Sequence, residues 1–126
     1  MIILDSSAWL EYFAGTKNGD IFCEYAESFE TLVVPAICLY EVFKIIHNQR
    51  GETSAKMATD FMKNGIVVEI NSDLCIKAAR ISLEHKLPMA DSLIYATSKI
   101  YEAKIITQDA DFKGLENVLY YEKNIV

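Results

Sequence analysis

Four acidic residues of this 126-residue chain stand where acids are out of place: Asp5, Glu41, Asp91 and Asp109. Asp5 ends the apolar run MIILD. Asp109 ends KIITQD, in which Ile105 and Ile106 lead through Thr107, and Asp111 follows two residues later. Glu41 interrupts ICLYEVFKII, and Asp91 opens the apolar stretch of LPMADSLIYA. Taken singly, each has a plain structural explanation. Asp5 and Asp91 could cap a helix or favour its N-terminus. Glu41 could face solvent beside Lys44, three residues on. Asp109 and Asp111 could serve a turn. Taken together, they suggest carboxylates gathered at one edge of a sheet.

Gathered carboxylates carry a cost and an opportunity. Two of them about 4 Å apart repel by roughly 4 kcal/mol at an effective dielectric near 20. A pocket of several needs protons or cations. Ligation by carboxylate oxygen alone selects hard ions, Mg²⁺ or Mn²⁺, over zinc or copper. Such an ion leaves positions for water and phosphate oxygens and can activate a water for in-line attack. The chain has no P-loop and no glycine-rich phosphate cradle. Hydrolysis of a phosphodiester is therefore the natural reaction, rather than nucleotide-driven phosphoryl transfer.

The elements that must position these acids alternate along the chain. Residues 2–5 read as a buried strand, and 6–14 as a short helix capped by Ser6 or Ser7. A polar turn is expected over 15–19 and a helix over 20–30, with Ile21, Phe22, Tyr25, Ala26 and Phe29 at helical spacing. A strand over 31–34 closes at Pro35, which can also start the helix of 36–50. Gly51 stops that helix, and another follows over 53–63. Strands are expected over 66–70, 104–108 and 118–121, and helices over 73–86 and 90–103. Short apolar strands alternating with helices predict an α/β fold: one domain, residues 1–126, with a parallel sheet of four or five strands flanked by helices on both faces. In such sheets ligands bind beyond the carboxyl ends of the strands, where Asp5 and Asp109 lie.

Composition narrows the classes. Just over half the residues are hydrophobic, enough for a core without disulfide staples. Cys23, Cys38 and Cys75 are scattered in apolar, helical stretches and read as reduced core thiols of a cytoplasmic protein. With no CxxC pair and only His47 and His85, a Cys/His zinc site is not expected. There is no signal-peptide pattern and no run of about 20 apolar residues to cross a membrane. The net charge of −6 argues against a simple basic nucleic-acid-binding module, though not against an enzyme that acts on nucleic acid.

Four stretches spread along the chain from Ile3 to Phe112 resemble the motifs of PIN-domain ribonucleases: ILDSSAWL, PAICLYEVFKII, HKLPMADSLIYATS and IITQDADF. In size the chain is similar to the toxin of a VapBC-type toxin–antitoxin pair. The resemblance places Asp5 and Ser6 in the first motif, Glu41 in the second, Asp91 in the third, and Thr107 and Asp109 in the fourth, with Asp111 as an extra acid. It implies an Mg²⁺- or Mn²⁺-dependent endoribonuclease, a homodimer, and a small antitoxin as protein partner. Asp5, Asp91 and Asp109 are then expected to hold the metal. Glu41 would bind metal or orient the attacking water, and Ser6 and Thr107 would support them by hydrogen bonds.

Lys44, Arg50, Lys86 and Lys113 stand near the motifs and could meet substrate phosphates, although each is better explained as a solvated surface cation. Trp9, Tyr12 and Phe13 are better explained by packing than by base stacking. Two other readings have distinct expectations. A structure-specific DNA nuclease or other phosphodiesterase would share the acids and differ in substrate. A response-regulator-like switch would need adjacent acids after the first strand and a phosphate-accepting Asp after a middle strand. Here Ser6 and Ser7 follow Asp5, and Asn71 follows the third strand.

Overall fold

The computed structural model describes residues 1–123. Its five strands are β1 (Ile2–Leu4), β2 (Leu32–Pro35), β3 (Ile66–Val68), β4 (Lys104–Thr107) and β5 (Val118–Tyr120). All four pairings are parallel, in the order β3-β2-β1-β4-β5. The helices are α1 (Ser6–Ala14), α2 (Lys17–Ala26), α3 (Ala36–Arg50), α4 (Glu52–Met62), α5 (Ser72–His85) and α6 (Met89–Tyr101), with a 3₁₀ turn at Ala110–Phe112. Right-handed crossovers put α1 to α4 on one face of the sheet and α5 and α6 on the other. The α/β architecture expected from the alternating pattern is the one observed.

The reason lies in the three central strands. Ile3, Leu4, Leu32, Val33, Val34, Ile105 and Ile106 have no exposed surface. Strands apolar on both faces can be covered only by helices above and below. Each fully buried aliphatic side chain contributes about 1.5–3 kcal/mol relative to exposure. Strand order then sets the site. The chain steps from β1 outward to β2 and β3, returns through α5 and α6, and places β4 on the other side of β1. The resulting crevice at the carboxyl ends of β1 and β4 is where a doubly wound sheet binds ligands.

Several local expectations are corrected. Helix α2 begins at Lys17, inside the stretch read as a turn, because Thr16 accepts from the Gly19 N–H and caps it. Gly19 is required there: a Cβ would collide with the Glu11 carbonyl, so α2 packs closely on α1. The helix ends at Ala26, leaving Phe29 outside it, and Ile21 faces solvent. Neither Ser6 nor Ser7 caps α1. Asp5 does, accepting from the Ala8 N–H at 3.0 Å. Of the three cysteines only Cys38 is in the core; Cys75 is exposed and Cys23 half-buried on α2. Trp9 is fully buried against Phe13 and Phe61, as packing predicts.

Candidate metal centre

Asp5 is held from three directions. It leaves β1 directly into α1 and is 2 % exposed. Its Oδ1 accepts from the Ser7 hydroxyl at 2.7 Å and from the Ala8 N–H at 3.0 Å. Its Oδ2 accepts from the buried Thr107 hydroxyl at 2.6 Å. Burial pushes the Asp5 carboxyl up to about 6. The hydrogen bonds from Thr107, Ser7 and Ala8 oppose that rise, and nearby Asp109 adds to it. A carboxylate oxygen has about two acceptor positions. Oδ1 uses both within the protein, so the remaining capacity for a ligand lies on Oδ2.

Three other acids draw together above it. Asp91, Asp109 and Asp111 each offer a carboxylate oxygen, and these oxygens lie within 4.8 Å of one another. Asp91 enters from the first turn of α6. Asp109 follows β4 and caps the 3₁₀ turn, accepting from the Asp111 N–H at 2.9 Å. That turn carries Asp111 back toward the other two. Burial first, and then Asp109, push the Asp91 carboxyl up to about 8; Asp5 and Asp111 add smaller repulsions. Asp91 thus carries the electrostatic strain of the group.

Glu41, expected among the metal-binding acids, is not part of this group. It lies on α3, and its Oε1 accepts from the Ser6 hydroxyl at 2.6 Å. The pairing with Lys44 open from the sequence does not form; Lys44 instead lies over the Tyr40 ring. One helical turn before Glu41, Cys38 is wholly buried and its thiol lies 4.0 Å from the Leu4 carbonyl. Burial raises its thiol well above the ordinary range, and the charges of Asp5, Glu41 and Asp91 raise it further. The three acids that group together offer carboxylate oxygen alone.

That donor set fits a small hard cation. Oxygen ligands about 2.1 Å from Mg²⁺ stand about 3 Å apart when adjacent and about 4.2 Å when opposite. Oxygens that all lie within 4.8 Å of one another suit such an ion. Asp111, expected as an extra acid, joins Asp91 and Asp109 in the group, whereas Asp5, expected to hold the metal with them, stands outside it and is near enough to repel Asp91. Ser7 was legible from the sequence only as a cap. Its adjacency to Ser6 and Asp5 in LDSS was the only available signal, because its second partner, the Gln108 N–H, is 101 residues away.

The PIN domain family profile matches residues 2–117. The chain belongs to the PIN domain family. No curated protein sequence matches it. Among solved structures, this PIN domain is similar to a toxin–antitoxin complex from Klebsiella pneumoniae, at 22 % identity over 98 % of this chain and 100 % of that one, with a TM-score of 0.82. It is also similar to VapC20 of Mycobacterium tuberculosis, described as a sarcin–ricin loop cleaving toxin, at 17 % identity over 94 % and 97 % of the two chains, with a TM-score of 0.76. A third is VapBC2 from Rickettsia felis bound to promoter DNA, at 17 % identity over 97 % and 98 %, with a TM-score of 0.69. At these identities the likeness is one of fold.

Proposed function

We propose that this PIN domain is a divalent-metal-dependent endoribonuclease and the toxin of a VapBC-type toxin–antitoxin pair. Nuclease activity is typical of the family. The observation that carries the reading is the convergence of Asp91, Asp109 and Asp111 from two separate chain segments over the buried Asp5. Asp5, Asp91 and Asp109 would hold Mg²⁺ or Mn²⁺, with Asp111 beside them. Such an ion, when bound, supplies charge stabilisation for the phosphoryl group and lowers the pKa of a bound water. Glu41, fixed by Ser6, would bind metal or orient the attacking water. Thr107 would hold Asp5 in place.

Toxin identity draws on the solved complexes of similar fold, and with it come a cognate antitoxin, a homodimer and a cytoplasmic location. Among the described residues no helix is long and apolar enough to cross a membrane.

The test is side-by-side digestion of single-stranded RNA and DNA by the purified protein with Mn²⁺, with Mg²⁺ and with a chelator. Cleavage of RNA alone, lost with chelator and in Asp91→Asn, is the expected result. Cleavage of DNA instead would favour the structure-specific nuclease. Full cleavage by Asp91→Asn would overturn the assignment.

A further inference from the structure

Two hydroxyl groups, one from each side of the site, tie Asp5 to the turn that carries Asp109. Ser7 Oγ accepts the Gln108 N–H at 3.0 Å and donates to Asp5 Oδ1 at 2.7 Å. Thr107 Oγ1 accepts the Asp109 N–H at 2.9 Å and donates to Asp5 Oδ2 at 2.6 Å. The direction of each bond follows from its partners: a peptide N–H can only donate, so each hydroxyl proton must point to the carboxylate. Both oxygens of one carboxylate are thereby linked, through one hydroxyl each, to two successive peptide groups at the exit of β4.

The turn is braced from its outer side as well. Asn18, buried on α2, donates its amide to the Gln108 side-chain oxygen, and it also donates to the Glu122 carbonyl at 2.9 Å. Gln108 is thus bonded through its side chain to α2 and through its peptide N–H to Ser7. The Ala8 N–H also holds Asp5 Oδ1, but it belongs to α1; Ser7 alone ties that oxygen to the Gln108 peptide on the far side of the site.

We infer that Ser7 is a positioning residue: by bridging Asp5 to the Gln108 peptide it sets the separation of Asp5 from Asp109 for a divalent cation. This rests on the metal-dependent reading above. Removing a hydrogen bond that orients a metal ligand typically weakens metal binding about 10–100-fold.

The experiment is calorimetric titration of Mn²⁺ into the metal-free wild type, Ser7→Ala and Ser7→Thr, with thermal melts of the same samples. Expected is Mn²⁺ binding by wild type, about 10–100-fold weaker binding by a folded Ser7→Ala, and near-wild-type binding by Ser7→Thr, which keeps the hydroxyl. Should Ser7→Ala fail to fold, Ser7→Cys takes its place, with a similar shape and a weak donor; weaker Mn²⁺ binding is again expected. Wild-type affinity in a folded Ser7→Ala or Ser7→Cys overturns the role of Ser7 while leaving the metal site standing. Absence of Mn²⁺ binding by wild type overturns both.

Discussion

Ser6 Oγ lies 2.6 Å from Glu41 Oε1 and joins the first turn of α1 to the middle of α3. Thirty-five residues separate the two in sequence. The bond holds Glu41 against α1, and Lys44 lies over the Tyr40 ring instead of pairing with Glu41. Under the nuclease reading, Glu41→Gln should leave the melting temperature within a few degrees of wild type, since the amide oxygen still accepts from Ser6. RNA cleavage should fall by at least about 100-fold, in the range typical of a general base. A cleavage rate unchanged in Glu41→Gln would remove Glu41 from the machinery.

Asp91 gives a contrast between stability and function. Its carboxylate is penalised by burial and by Asp109. Asp91→Asn removes the cost of holding that carboxyl protonated at neutral pH, so the metal-free variant should melt higher than metal-free wild type by a few degrees while losing cleavage. This is the trade expected of a site strained for function. Scanning calorimetry in the presence of chelator measures the shift, and a lower melting temperature would contradict it.

The same two groups set the pH dependence of the metal-free protein. Asp5 and Asp91 have carboxyls raised from 3.8 to about 6 and about 8 in the folded chain. Between the unfolded and folded values the native state holds more protons than the unfolded state. Stability therefore falls as pH rises through that window and levels off once both groups are ionised. Metal-free protein should melt lower at pH 8.5 than at pH 6. Saturating Mn²⁺ should reduce the difference, because it favours the ionised carboxylates. Thermal melts at the two pH values, with and without Mn²⁺, check both signs.

Metal binding should itself stabilise the fold. At a free Mn²⁺ concentration 100 times Kd, linkage adds about 2.7 kcal/mol. For a domain of this size that is a rise in melting temperature of about 10 °C. A rise of that order in wild type, absent in Asp91→Asn, would place the ion among these acids; an equal rise in both would place it elsewhere.

Thr107 has no exposed surface, and its hydroxyl both donates to Asp5 and accepts from Asp109. Thr107→Val keeps the shape and removes the hydroxyl, which leaves a buried acceptor and a peptide donor without their partner. A loss of about 1–3 kcal/mol is expected, with Thr107→Ser retaining most of the stability. Urea unfolding of the two variants measures it. Equal stability of Thr107→Val and wild type would show that the network contributes nothing to the fold.

The alternation of strand and helix, the apolar strands that demand cover on both faces, and the acids that end or interrupt apolar runs were all legible along the chain. These are local signals: strand and helix periods, capping residues and composition act over a few neighbouring positions. Even so, the start of α2 at Lys17 was hidden, because Thr16 caps the helix within a stretch rich in turn residues. Cys75 looked buried in an apolar helix and is exposed, since α5 meets α6 through Leu74 and Ala78 on a different stripe.

Tertiary structure alone decided how the acids meet. The order β3-β2-β1-β4-β5 sets β1 beside β4, and nothing within either strand encodes that neighbour. Once they pair, Leu4 aligns with Ile106, so that Asp5 comes level with Thr107 and the peptides of Gln108 and Asp109 fall within reach of two hydroxyls. Hydrogen bonds between groups about 100 residues apart form only after the sheet has closed the intervening loop. For that reason Ser7 reads as a cap in the sequence and as a bridge in the fold.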